Sequence, residues 1–230
     1  MKIKKPTKIY TLIRHKTKSE ILNLARMKCK HGMTLLEHPN CLAEFSPSEK
    51  VGFLDIETFS FSFKADMGIL LTYCIKDLNG AVIANAITPE ECRLEKDNDK
   101  RLMKDLIRDM RRYGRLIGHY SGWFDLPFLR TRALYYGLDF PIYKEIYHTD
   151  TWIICKKKFL LKSNSLKNAC EFFKIPCKNH KFTFESWYNA AKGNQKAINF
   201  VLKHNIEDVR STELLWKKIT SYVNETKSSI

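Results

Sequence analysis

Between residues 51 and 87 the chain carries three short apolar runs, over 51–57, 68–75 and 81–87, rich in β-branched and aromatic residues. The second and third are joined across an Asn79-Gly80 turn signal, so the three are expected to form an antiparallel meander. This leaves little room for anything but a sheet at the centre of the fold. After it come a charged amphipathic helix over 97–113, with Leu102, Met103, Leu106, Ile107 and Met110 at helical spacing, and a fourth strand over 115–120. A helix over 124–136 and a short fifth strand within 142–151 follow. A helix over 165–173 has Ser163 or Asn164 as its cap, and one or two helices occupy 194–203 and 208–223. Strands first and then alternating helices and strands define an α/β class: a mixed five-stranded sheet flanked by helices.

The first fifty residues are Lys-rich and lack strand-like alternation, with one amphipathic stretch over 19–27. The expected organisation is a basic N-terminal appendage over 1–49, a main domain over 50–224 and a tail over 225–230. With 230 residues and 44 % hydrophobic composition, one packed domain plus an appendage is the natural size.

A formal net charge of +15 exceeds what a fold requires and suits a polyanionic partner, nucleic acid or an acidic membrane surface. Its distribution is uneven: residues 1–50 hold 11 basic and 4 acidic side chains, 51–150 hold 14 and 15, and 151–230 hold 15 and 6. The acids of 90–109 read as the solvated face of a helix. No uninterrupted apolar run of membrane-spanning length occurs, and the basic residues do not oppose a continuous apolar face, so a membrane partner is not expected. The N-terminus has no apolar stretch of signal-peptide length, and seven cysteines, an odd number, fit reduced thiols. An intracellular, cytoplasmic protein is the expectation.

Three places carry acids that a helix face does not explain. In Asp55-Ile56-Glu57 the two-residue period of a strand puts both carboxylates on one face, with Leu54 and Ile56 on the other. Like charges so placed are costly unless a cation lies between them, and a hard divalent ion such as Mg²⁺ or Mn²⁺ is the usual partner. In the block 118–129, GHYSGWFDLPFL, Asp125 opens a helix with Pro127 in its first turn; taken alone it complements the helix dipole. In 204–209, HNIEDV, His204 and Asp208 are four apart and share a helical face; taken alone they are a surface ion pair.

These three blocks resemble, in order, the exonuclease motifs of the DEDD 3′-to-5′ exonuclease superfamily, which has an RNase H-like fold. The nearest likeness is to the exonuclease domain of family-B DNA polymerases and to stand-alone YprB-type proteins, over roughly residues 50–222. The resemblance implies that Asp55, Glu57, Asp125 and Asp208 hold two divalent ions, Mg²⁺ or Mn²⁺, and that His204 orients or deprotonates the attacking water. It further implies hydrolysis of phosphodiester bonds at the 3′ end of single-stranded DNA or RNA. His204 stands four residues before Asp208, where one branch of the superfamily has tyrosine, while the other branch has its histidine five before, a position held here by Lys203. A helix-capping or ion-paired His204 therefore stays open as an alternative to a base.

Thr58 and Phe59, after the first motif, and Tyr120, in the second, are candidate contacts to nucleic-acid bases. Cys29, His31, His38 and Cys41 place four metal-ligating side chains within 13 residues, a grouping suited to one structural Zn²⁺ in an appendage too small for its own core. The other five cysteines read as small buried hydrophobes. Two further functions remain open at this stage: an endonuclease on the same fold, and a nucleic-acid-binding module with a vestigial site. Oligomeric state, DNA against RNA, and pathway leave no mark in the sequence.

Overall fold

A computed structural model describes residues 18–28, 32–34, 37, 50–60, 64–142, 145–177 and 183–222. The chain divides into two compact units, Met1–Lys50 and Val51–Ile230. In the first, helix α1 (Lys18–Arg26) is followed by an isolated antiparallel bridge between Lys28 and Thr34. The Glu37 carboxylate accepts from the Thr34 amide and hydroxyl, each at 2.8 Å. Cys29, His31, His38 and Cys41, the expected zinc ligands, lie outside the described residues.

The second unit is built on five strands in the order β3-β2-β1-β4-β5. Strands β1 (Val51–Phe59), β2 (Ile69–Asp77) and β3 (Val82–Ala86) form the expected meander, and β4 (Arg115–Gly118) and β5 (Tyr147–Asp150) run parallel to β1. Around the sheet lie α2 (Pro89–Cys92), α3 (Lys100–Met110), α4 (Asp125–Tyr135), α5 (Thr151–Lys158), α6 (Leu166–Phe172), α7 (Phe184–Ala191) and α8 (Gln195–Ile219). Leu70, Leu71, Tyr73 and Ile75 of β2 and Leu102, Met103, Leu106 and Met110 of α3 are fully buried in one core. Among the described residues no helix is long and apolar enough to cross a membrane.

Several expectations are corrected. The fourth strand stops at Gly118, because the Tyr120 amide is taken by the Asp150 side chain and Tyr120 itself adopts a left-handed backbone, φ 62°. Ser165, and not Ser163 or Asn164, caps α6 by accepting from the Asn168 amide. Residues 195–219 form one unbroken helix, and α7 lies in a stretch that was not assigned an element. Of the remaining cysteines, Cys74, Cys155 and Cys170 are buried, but Cys92 and Cys177 are only half-buried.

The acids of 90–109 are not all solvated. Asp99 is 0 % exposed and Asp109 2 %. Asp99 accepts from the Leu70 amide at 2.7 Å and from Arg132 Nε at 3.0 Å, with Arg132 Nη2 and the Tyr136 hydroxyl on its other oxygen. Asp109 takes the Tyr73 hydroxyl at 2.7 Å. These are interior anchors between the helical layer and β2.

The parallel edge carries a stability term that depends on pH. Burial pushes the His148 imidazole down to about 4, against the pull of Asp150, and His148 Nε2 lies 2.9 Å from Ser121 Oγ. The folded value is below the unfolded one near 6.5, so the contribution is whole above about pH 6.5 and is lost as pH falls towards 4. At about 1.4 kcal/mol per unit this is roughly 3 kcal/mol. Half-buried His119, also lowered by desolvation, acts in the same direction. Urea midpoints should therefore fall between pH 7 and pH 4.5, and His148→Gln should flatten that slope.

Candidate metal centre

The pleat of β1 sends Leu54 and Ile56 into the core, 2 % and 5 % exposed, and leaves Asp55 and Glu57 half-buried on the other face. α8 crosses that strand. Asn194 caps it by accepting from the Ala197 amide at 3.1 Å, and Ile198, Val201, Val209 and Leu215 are buried along it. Asp208 lies one turn beyond His204 and Asn205, four and three residues on, and Asn205 and His204 reach Asp55 and Glu57 of β1.

His204 Nε2 is 3.6 Å from Glu57 Oε1 and 3.6 Å from Asp208 Oδ2. One donor atom from each of Glu57, His204 and Asp208 lies within 4.8 Å of the other two, the spacing of a potential ion site. Glu57 is held through its other oxygen by Trp187 Nε1, which donates to Oε2 at 3.0 Å. The Trp187 ring, 2 % exposed, stands edge-on to His204 at 4.8 Å. Asp55 Oδ2 accepts from Asn205 Nδ2 at 2.5 Å. Asn205 is 0 % exposed, and its Oδ1 is buried with no hydrogen-bond partner among the described residues. A buried amide oxygen left unbonded is costly, so its retention beside Asp55 needs a local reason.

Asp125 arrives from the other side. Its Oδ1 accepts from the Ile56 amide at 3.2 Å, beyond the end of the β1–β4 ladder, which pairs only Val51 to Phe53 with β4. The turn that delivers it depends on Gly118: a Cβ there would meet Ser121 Oγ at 2.2 Å and the Leu54 carbonyl at 3.2 Å. Asp150 fixes the same turn, accepting from the Tyr120 and Gly122 amides at 2.9 Å each. Burial raises the Asp125 carboxyl to about 7, and the charge of Asp150 adds to the rise. A carboxyl so disfavoured in its charged form is one that a bound cation would return to carboxylate. The donor set is carboxylate oxygens, chemistry that fits a hard divalent ion, with the His204 imidazole standing beside Glu57 and Asp208.

The structure thus gathers Glu57, His204 and Asp208 at one point of β1, with Asp55 two residues back on the same face and Asp125 bonded to the Ile56 amide between them. Thr58 and Phe59 follow a register shift in β1 between Glu57 and Thr58, and Phe59 turns to Phe184 and Tyr188 of α7, with ring centroids at 5.8 and 5.9 Å. Tyr120 lies across the turn, 45 % exposed. Sequence reasoning did not find Trp187 and Asn205. Trp187 belongs to the unassigned helix, where Phe184, Trp187, Tyr188 and Ala191 do carry helical spacing; Asn205 could have been found as an amide flanked at helical spacing by Val201, Leu202 and Val209 and one turn before Asp208. Asn205→Ala should weaken divalent-ion binding about 10- to 100-fold, the usual effect of losing a group that holds a ligand, and titration calorimetry with Mn²⁺ would measure it.

Residues 52–220 match the family described as RNase_H superfamily (RNase_H_2). The chain belongs to the RNase H superfamily, a superfamily of nucleases, and its mixed five-stranded sheet with flanking helices is the RNase H-like fold. No curated protein matches it. Among solved structures it is similar to the family B DNA polymerase from the hyperthermophilic archaeon Pyrobaculum calidifontis, with a TM-score of 0.61 and 17 % identity. The match covers 77 % of this chain and 25 % of the polymerase chain, a quarter of that protein's length, and at this identity it is a likeness of fold.

Proposed function

We propose that the protein is a divalent-metal-dependent 3′-to-5′ exonuclease that hydrolyses phosphodiester bonds of single-stranded DNA or RNA. The observation that carries this reading is the meeting of Glu57, His204 and Asp208 within 4.8 Å beside Asp55, on a strand whose Ile56 amide is bonded by Asp125. Asp55, Glu57, Asp125 and Asp208 would hold two ions, Mg²⁺ or Mn²⁺, which when bound lower the pKa of water and offset charge on the reacting phosphate. Trp187 and Asn205 keep one oxygen each of Glu57 and Asp55 fixed, so that the carboxylates are preorganised. His204, 3.6 Å from each of two carboxylates, would take a proton from water at Nε2, and Glu57 and Asp208 would stabilise the resulting imidazolium. Thr58, Phe59 and Tyr120 serve the terminal bases, with Phe184 and Tyr188 backing Phe59.

The test uses linear single strands labelled at either end and a covalently closed circular strand, each incubated with Mg²⁺ or Mn²⁺. Expected are labelled mononucleotides from the 3′-labelled strand, a shortening ladder from the 5′-labelled one, and an intact circle. A cut circle would replace the proposal with an endonuclease, and a gel shift in Mn²⁺ without turnover would replace it with a binding module.

A further inference from the structure

Beside the carboxylates, where β5 runs into α5, the surface extends Tyr120 into a longer row of side chains, and Trp152 and Lys156 have no part in the hydrolytic site. Asp150, the last residue of β5, caps α5 by accepting from the Trp152 amide at 2.9 Å through the same oxygen that takes the Tyr120 amide. One buried carboxylate therefore sets two aromatic residues against each other and against the turn that carries Asp125. Their rings meet edge to face, with centroids 5.1 Å apart. One turn along α5, Lys156 Nζ stands 4.9 Å over the Trp152 ring, making a row of tyrosine, tryptophan and ammonium.

Two further observations give this row an outward purpose. Tyr120 holds φ 62°, a conformation that glycine or asparagine takes readily and a bulky residue rarely does, and its ring is 45 % exposed. Such conformations persist mainly where function keeps them. The row also ends in positive charge: Lys156, Lys157 and Lys158 close α5 and are all exposed, and exposed Lys162 follows. Tyr120 is exposed and Trp152 half-buried behind it, and aromatic rings interleaved with ammonium groups are what a single nucleic-acid strand requires, stacking for its bases and charge for its phosphates.

We infer that Tyr120, Trp152 and Lys156 form a platform for the unpaired bases that follow the nucleotide held at the carboxylates, so that this face takes a single strand of nucleic acid. The inference rests on the nuclease reading for where the strand end lies. Lys156, seated on Trp152, would exchange its ring contact for a phosphate as a base stacks.

The experiment is fluorescence anisotropy of a labelled oligothymidylate of about 12 nucleotides, in EDTA so that nothing is hydrolysed, with wild type, Tyr120→Gly, Trp152→Leu and Lys156→Gln. Each aromatic replacement should weaken binding by about 5- to 100-fold, the effect of losing one stacked base. Glycine takes φ 62° freely, so Tyr120→Gly should melt close to wild type, which separates lost binding from lost folding. Lys156→Gln should shrink the slope of log affinity against log salt by about 0.7, one phosphate contact on a single strand. Binding by both aromatic variants within about twofold of wild type would overturn the platform, whether or not the wild type hydrolyses the oligomer in Mn²⁺. Lost binding alongside an inert wild type would overturn the nuclease reading instead and leave the platform in place.

Discussion

Asp55→Asn is expected to lower metal-dependent hydrolysis by about 10³-fold or more while the protein stays folded. Asp55 is joined to the cluster on two sides: Glu57 is two residues along the same face of β1, and Asn205 ties it to the helix that carries His204 and Asp208. The substitution removes one negative charge and changes almost no volume. The remaining amide oxygen can still accept from Asn205 Nδ2, so the packing of α8 on β1 is kept. Without a cation the wild-type carboxylates repel one another. In EDTA the variant should therefore melt at the wild-type temperature or above it, as read by circular dichroism. In Mn²⁺ the wild type should gain stability from the bound ion and the variant should gain little. That pattern, with no lower melting temperature and lost turnover, separates a ligand from a merely structural carboxylate.

Asp99→Ala should act in the opposite way, with a large effect on stability. Asp99 is fully buried and takes bonds from Arg132, the Leu70 amide and the Tyr136 hydroxyl. Alanine would leave the Arg132 guanidinium, whose side chain is 8 % exposed, as a buried cation without its carboxylate. Breaking one side of a buried pair typically costs about 3–5 kcal/mol, more than the Coulombic attraction contributes on balance, because the surviving charge is not resolvated. Urea unfolding should show that loss as a shifted midpoint. Adding Arg132→Leu should recover part of it, since the orphaned charge is then gone; a double variant as unstable as the single one would place the cost elsewhere.

How far these residues could be read from the sequence depends on what holds each one. Asp55 and Glu57 were legible because strand period alone puts them on one face, and the meander because its three runs leave no space for crossovers. Local pattern leaves 194–203 and 208–223 as one or two helices; in the fold the Asn205 side chain between them is used by Asp55, and burial against the sheet carries the helix through. The fourth strand was drawn two residues too long for a similar reason. Apolar pattern continues through His119 and Tyr120, but the Asp150 carboxylate, distant in sequence, captures the amide that a longer ladder would have used. Asp99 and Asp109 looked solvated because the helical wheel of α3 is strongly charged, and only their distant partners Arg132, Leu70 and Tyr73 show them to be interior. Trp187 was missed with its helix, although it fixes Glu57 from a position 130 residues away.

The central claim, that these carboxylates hydrolyse nucleic acid with the help of divalent ions, is tested most directly by one comparison. Wild type and Asp55→Asn, prepared identically, are given a 3′-labelled single strand in Mn²⁺, and the release of labelled mononucleotide is followed. The account predicts steady release by the wild type, its abolition by EDTA, and no release above background by the variant. Equal release by the two proteins, or release by the wild type that EDTA does not stop, would contradict it.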